Sequence, residues 1–326
     1  MVITATAGQS VTEGIRPVDL GRDIPQVLDL LRLAFGESMD SDERKAFSEA
    51  AIRPDFLWRL DPAASRLGSG FVWVSNGRIV GNVTLLSTRA QGRFLVANVA
   101  VHPSFRRRGI AVALMRAVED TVRSRRGQVI LLQVVKENDP AIALYRQLGY
   151  RQVGNMTTWS ATASRLRQIP ASVNGNPVPE IRPLPGNLWR HAYDLDTIYV
   201  APDLNWPEPL PKDAYQQTWL GRVRDFMSGR QREVWMTTGN LNQLNGLASI
   251  TSEWGRPHVV ALRFAAGTTD QLARPLLAKV VRRLAYLSRR NVRIEHPEDD
   301  TIVNDLLHEA NFSAQRTLTH MRYDLL

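Results

Sequence analysis

The chain has 326 residues, a formal charge of +9, 44% hydrophobic and 22% charged residues, a balance that fits two ordinary globular domains. It contains no cysteine, which excludes disulfides, a cysteine nucleophile and thiolate metal sites; its six histidines show no paired ligand spacing, so no metal is expected. No apolar run reaches the roughly eighteen residues of a membrane span, and Met1 to Ser10 lacks the basic-then-apolar order of a secretory signal, so the expected location is the cytoplasm.

The elements follow in chain order. Ile15-Arg16-Pro17-Val18 precedes a helical pattern in which Val27, Leu30, Leu31 and Ala34 share one face. Val72-Trp73-Val74, a turn at Gly77 and the run Val80 to Leu86 predict two strands joined tightly. A third strand is predicted from Phe94 to Val101, a helix from Ala111 to Arg126, and a strand from Val129 to Val135. A short helix then ends in Leu144-Tyr145-Arg146-Gln147-Leu148-Gly149-Tyr150, before a last strand.

Residues 166–179 are rich in Pro, Ser, Asn and Gly and read as a linker. Beyond it the pattern returns with a shift of about 162–166 residues. Ile181-Arg182-Pro183-Leu184 matches Ile15 to Val18, and Val234-Trp235-Met236 before Gly239 matches Val72 to Gly77. Strands at Leu247 to Thr251, His258 to Phe264 and Val292 to His296, a helix at Leu272 to Arg290, and Leu306 to Phe312 complete the copy. Five matches in one order predict a duplication: α/β domains at 1–165 and 180–326, each a mixed sheet covered by helices. Such halves would pack as an internal pseudo-dimer, compatible with a monomeric chain.

The segment Asn98 to Ala111 carries the most chemistry. An apolar strand runs to Val101, Pro103 interrupts its ladder, and a helix starts near Gly109. A helix N-terminus offers unsatisfied amides and partial positive charge. Gly109 and the small Ala111 permit close approach of a ligand to the backbone, and Arg106, Arg107 and Arg108 flank the turn. Together these features suit a phosphate or pyrophosphate. The three glycines of a dinucleotide turn and the Gly-Lys-Ser/Thr of a P-loop are missing. Elsewhere the basic residues are mixed with acids, without an aromatic-basic stripe, so nucleic acid is not an expected partner.

Val99-Ala100-Val101-His102-Pro103, then Arg106-Arg107-Arg108-Gly109-Ile110-Ala111, then Asn138 to Tyr150 with Ala141, Leu144-Tyr145 and Gly149 resembles the GNAT superfamily of N-acetyltransferases. The resemblance covers Phe94 to Tyr150, and more loosely the chain from Ile15. It implies acetyl-CoA as acyl donor and an amine as acceptor. It places the pyrophosphate on Arg106, Arg107, Arg108, Gly109, Ile110, Ala111 and Val112. The pantetheine arm would run along Val99, Ala100 and Val101 as an added strand, and Asn138 would bond it. A backbone amide near Val99 would serve the oxyanion, and Tyr145 would protonate the departing sulfur.

Many relatives place Glu or Asp just before the Val-Ala-Val; here Asn98 stands there and cannot be a base. Glu137, Glu37, Asp40, Asp42, Glu43 and His102 are weighed for that role, and none is assigned. The absent base favours an alternative reading, a non-catalytic acyl-CoA-binding or regulatory module.

Aligned by the repeat, Asp270 to Pro275 stand where Arg106 to Ala111 do, with Ala273 at Gly109 and Pro275 removing an amide. Asn138 falls on Asp300, and Tyr145 on Leu307. The second half therefore reads as a degenerate GNAT-like domain, and the tandem arrangement is similar to that of mycothiol synthase and of the enhanced intracellular survival enzymes. Trp206, Trp219 and Trp254 are expected in its buried core, with the lining of an acceptor cleft as the alternative.

Overall fold

The computed structural model describes residues 13–36, 69–173, 175, 177–216, 218–238, 243–267 and 269–325. Glu37, Asp40, Asp42 and Glu43 lie outside them. The chain folds into two units: unit one comprises residues 1–134, 138–152 and 321–326, and unit two residues 135–137 and 153–320. The Pro-rich stretch 166–179 thus lies within unit two.

Unit one begins with β1 (Glu13–Pro17) and α1 (Leu20–Phe35), followed by β2 (Ser69–Ser75), β3 (Arg78–Ser87) and β4 (Arg93–Val101). Then come α2 (Ile110–Ser124), β5 (Val129–Val135) and α3 (Asp139–Gln147). Asp19 caps α1 by accepting the Gly21 amide at 3.0 Å. The apolar stripe of α1 buries Val27, Leu30 and Leu31 against the sheet, as their helical spacing predicts. Arg16, on β1, grips buried Asp23 of α1 through two hydrogen bonds of 2.5 and 2.8 Å. Asn76 and Gly77, with φ of 49° and 76°, form the two-residue turn between β2 and β3, the left-handed pair that tight hairpins require.

The sheet of unit one is antiparallel from β1 to β4, and β5 joins β4 in parallel. The strand beside β5 is the end of β12 (Ser313–Asp324), from the second repeat. Tyr323 stacks on Tyr150 with ring centres 5.1 Å apart, and Met321 is fully buried in the same core. Helix α2 lies directly on β3: a Cβ at Gly81 would come within 2.8 Å of Ile110 Cγ2 and 3.1 Å of Leu114 Cδ1. Leu114, Met115, Val118 and Val122 are wholly buried beneath it, each contributing about 2 kcal/mol by removal from water. The first turn of α2 is thereby fixed over the end of β4.

Unit two repeats the pattern. It holds β6 (Arg151–Thr162) from Val153 onward, β7 (Ile181–Pro183), α4 (Trp189–Tyr199), α5 (Trp219–Met227), β8 (Gln231–Thr238) and β9 (Leu244–Ser252). It continues with β10 (His258–Phe264), α6 (Asp270–Leu284), β11 (Asn291–Pro297), α7 (Thr301–Glu309) and β12 up to His320. Its strand order is β12, β6, β11, β10, β9, β8, β7. Beside β11 stands β6, from the first repeat, paired antiparallel from Asn291/Thr162 to Pro297/Met156. Unit two therefore includes most of β6 from the first repeat, and unit one includes the end of β12, residues 321–324, from the second.

Trp219 and Trp254 are 72% and 83% exposed, which corrects their expected place in a core. Trp219 opens α5 on its solvent side, and Trp254 sits in the turn after β9, with its ring against Gly229. Trp206 is half-buried. No described helix is long and apolar enough to cross a membrane.

Candidate active site

The cleft of unit one starts from strand geometry. β4 and β5 pair only from Arg93/Val129 to Val96/Leu132, so the edge of β4 from Ala97 to Val101 has no pairing with β5. The His102 amide bonds to the Val80 carbonyl at 2.8 Å, on the β3 side. Successive amides of a strand alternate in direction, so Ala100 also faces β3 while the N–H groups of Val99 and Val101 face the open side. Just before them β4 carries a bulge. Asn82 pairs with Ala100 and Thr84 with Ala97, which leaves Asn98 and Val99 opposite Val83 alone. Asn98 takes the left-handed conformation, φ 54°, one that asparagine tolerates better than most residues.

Beyond Val101 the chain makes a single 3₁₀ turn, Pro103–Phe105, capped by His102, whose Nδ1 accepts the Ser104 amide at 3.3 Å. Arg107 and Gly109 then adopt positive φ, 64° and 77°. Gly109 is the N-cap of α2 and supplies no side-chain cap, and the first turn of α2 holds no acidic residue. The Ala113 amide is taken by the Gly109 carbonyl at 3.0 Å. The amides of Ile110, Ala111 and Val112 precede it and have no partner within the helix.

Three exposed arginines, Arg106, Arg107 and Arg108, directly precede these amides in the chain. Arg106 Nε donates to the Val101 carbonyl at 3.3 Å, and Arg108 donates to the Ser104 carbonyl at 3.1 Å while lying over the Phe105 ring. Neither bond neutralises charge, and among the described residues no carboxylate pairs with Arg106, Arg107 or Arg108. Amides without helical partners, a helix dipole and three exposed cations thus follow one another within one short segment, a combination that suits an anionic ligand.

On the other side of the cleft, Asn138 caps α3 by accepting the Ala141 amide at 3.2 Å, which leaves its NH2 group available. Tyr145, on α3, is 6% exposed and belongs to the core that includes Ile110 and Leu114, with Val99 and Val101 packed against it. Among the described residues its hydroxyl has no hydrogen-bond partner, and burial pushes its pKa up to about 12. It is a protonated phenol at neutral pH. The fold thus brings Val99, Val101, Ile110 and Tyr145 together in one packed core. Glu137 is exposed beyond β5.

Unit two shows the same cleft filled. β10 and β11 pair only from His258/Val292 to Val260/Ile294 and then diverge. Tyr199, the last residue of α4, lies against Phe264 of β10 and His296 of β11, with ring centres 6.0 and 5.7 Å apart. Its hydroxyl donates to Asp300 and stands 2.9 Å from His296 Nε2. Asp300 also caps α7, as Asn138 caps α3, and Leu307 is buried at the place of Tyr145.

The anion turn is lost too, though not in the register expected from sequence. Helix α6 starts at Asp270, with Thr269 as N-cap, so Pro275 is its sixth residue and removes no N-terminal amide. The connection from β10 is five residues, 265–269, against eight, 102–109, after β4. The shortening removes the arginine positions themselves. Asp270 instead binds Arg274 at 2.9 Å.

Sequence reasoning passed over Asn82. It is 2% exposed in β3, and its side-chain amide donates to the Asn98 carbonyl at 2.9 Å. A lone polar residue inside Ile79-Val80-Gly81-Asn82-Val83 was the available signal.

Two mixed α/β repeats, each with a divergent pair of parallel strands, define the architecture. Residues 26–150 match the Acetyltransferase (GNAT) family, and the chain has the fold of tandem GNAT proteins. The chain is 35% identical over 82 residues to N-alpha-acetyltransferase RimI of Mycobacterium tuberculosis, covering 24% of this chain and 50% of that protein. It is 36% identical over 83 residues to peptidyl-lysine N-acetyltransferase YiaC of Escherichia coli, covering 26% and 50%. The chain thus spans about half the length of these relatives. Two solved structures follow nearly the whole chain. A tandem GNAT protein from the clavulanic acid biosynthesis pathway has a TM-score of 0.52 and 18% identity, over 96% of this chain and 98% of that one. A GCN5-related N-acetyltransferase from Sphaerobacter thermophilus has a TM-score of 0.59 and 18% identity, over 97% of each.

Proposed function

We propose that the chain is an acetyl-CoA-dependent N-acetyltransferase with one working cleft, in the repeat at 1–165, and a degenerate repeat at 180–326. The observation that carries this reading is the uncapped start of α2, preceded by the exposed Arg106, Arg107 and Arg108 and joined to the open edge of β4. The amides of Ile110, Ala111 and Val112 and the arginines hold the pyrophosphate. Val99 and Val101 bond the pantetheine arm, with the Asn138 NH2 group on its far side.

In the transfer, the neutral amine nitrogen attacks the thioester carbon. The Val99 N–H donates to the carbonyl oxygen as it becomes an oxyanion. The C–S bond then breaks, and Tyr145 gives its proton to the sulfur, so that CoA leaves as a thiol; the proton that the nitrogen sheds on becoming an amide passes through water and restores the Tyr145 phenol. A phenol with its pKa pushed up to about 12 keeps its proton at every physiological pH, the state an acid needs. Asn98, held to β3 by Asn82, takes no proton. The acceptor is an amine of a small molecule or a protein; the names of the two relatives above favour a protein or peptide amine.

Titration calorimetry of the full chain with acetyl-CoA tests the reading. One site per chain is expected, lost in the Gly109→Pro variant, because proline locks φ near −65° where the turn needs 77°. Two equal sites, or none, refute it. Binding without thiol release across a broad amine panel favours the non-catalytic acyl-CoA module instead.

A further inference from the structure

We infer that Asn82 is a positioning residue that aims the Val99 amide into the cleft; the inference rests on Val99 serving the oxyanion. Asn82 is nearly inaccessible, so it touches no substrate. A buried amide in an apolar strand is unfavourable unless it is bonded, and the bond it makes is to the Asn98 carbonyl, 2.9 Å away. That carbonyl and the Val99 N–H belong to one planar trans peptide and point in opposite directions. Holding the carbonyl towards β3 therefore turns the N–H away from β3, to the side where β5 has diverged.

The bulge makes this tie necessary. An ordinary strand fixes each peptide by ladder bonds on both sides, but Asn98 and Val99 share one partner residue, Val83, and Asn98 is left-handed. The peptide between them lacks a regular ladder position. Asn82 replaces the missing restraint, and a 3.4 Å contact from Asn98 Nδ2 to Thr84 Oγ1 adds a longer second one. A donor on the carbonyl also polarises the peptide and strengthens its N–H as a donor. The amide is thus oriented before the oxyanion forms, the condition under which such a donor lowers the barrier most.

The test compares the full-length chain with its Asn82→Leu and Asn82→Asp variants. Leucine removes the donor, and aspartate, assayed at alkaline pH so that it is ionised despite burial, keeps the shape without donating. Calorimetry gives acetyl-CoA affinity, thiol release gives kcat and KM with the best amine of the panel, and 15N-valine labelling follows the Val99 amide. Expected is a fall in kcat of about tenfold to a hundredfold in both variants, with acetyl-CoA affinity within about twofold. The Val99 resonance should move on adding acetyl-CoA to the native chain and move much less in the variants. Unchanged kcat, equal loss of kcat and affinity, or the same Val99 response in all three chains overturns the inference. The resonance decides the matter where no amine turns over, and the aspartate variant serves where the leucine variant does not fold. Absence of acetyl-CoA binding in the native chain would sink the site reading itself; binding with a silent Val99 amide would sink this inference alone.

Discussion

Tyr145→Phe separates chemistry from stability more sharply than any other change in the cleft. The ring is 6% exposed and packs in the core of unit one, and phenylalanine keeps all of that contact. The hydroxyl has no described hydrogen-bond partner, so its removal breaks no bond. No bond within the protein is lost and the ring stays packed, so the variant should match the native chain in stability to within about 1 kcal/mol. Turnover should move the other way: loss of a general acid costs about 10²- to 10⁴-fold, or about 3–5 kcal/mol in the barrier. Urea denaturation, calorimetry with acetyl-CoA and initial rates of thiol release measure the three quantities. The sign of the pH dependence is also set. The acid works while protonated, and its pKa is pushed up to about 12, so no loss of rate through Tyr145 is expected as pH rises past 10. A variant that loses stability and rate together, or keeps full turnover, refutes the acid role.

Gly109→Ala should weaken acetyl-CoA binding roughly five- to thirtyfold by calorimetry. A Cβ there meets nothing within 4 Å, so the effect is the cost of a left-handed alanine, about 1–2 kcal/mol. In unit two, Asp196 accepts from Arg263 and Tyr215, both at 2.5 Å, while almost wholly buried. Asp196→Ala strands the guanidinium and should cost about 3 kcal/mol or more in chemical denaturation; a loss under about 1 kcal/mol would contradict that. Burial pushes the Asp23 carboxyl up, but the hydrogen bonds from Arg16 and the Asp19 amide, with the charges of Arg16 and Arg22, outweigh it and hold it below 3.8. Its stabilisation is therefore present above that pH and is lost as pH falls through the lowered value. Denaturation midpoints measured from pH 5 to 2 should show a smaller acid loss in Arg16→Ala.

Much of this was legible in the sequence because it rests on short-range pattern. The helix-face spacing of Val27, Leu30 and Leu31 and the apolar runs of β4, β5, β10 and β11 report burial directly. The motifs from Val99 to Tyr145 were legible for the same reason, since turn, arginines and helix start are consecutive. What was missed depends on register and partners. The exchange of β6 and β12 cannot be read from either strand, because alternation reveals a strand but not its neighbour. Pro275 was misplaced because the connection after β10 is shorter and the repeat was aligned through it. Tyr199 and Asn82 escaped because what matters in each is a side chain bonded across elements. The tryptophans misled because size suggests a core, and only packing decides.

The borrowed strands also bear on inheritance. On the proposed reading, a repeat whose groove is filled by Tyr199 and whose arginine turn is gone binds no acyl donor of its own. Yet the strand flanking β5 in the working half is encoded downstream of the whole second repeat core, as Met321 and Tyr323 attest. Every frameshift or early stop in the second repeat therefore strips the first. Division of the gene between residues 165 and 180 should yield two fragments that stay in solution only when made together. The second repeat thus supplies a strand end on which the sheet of unit one closes.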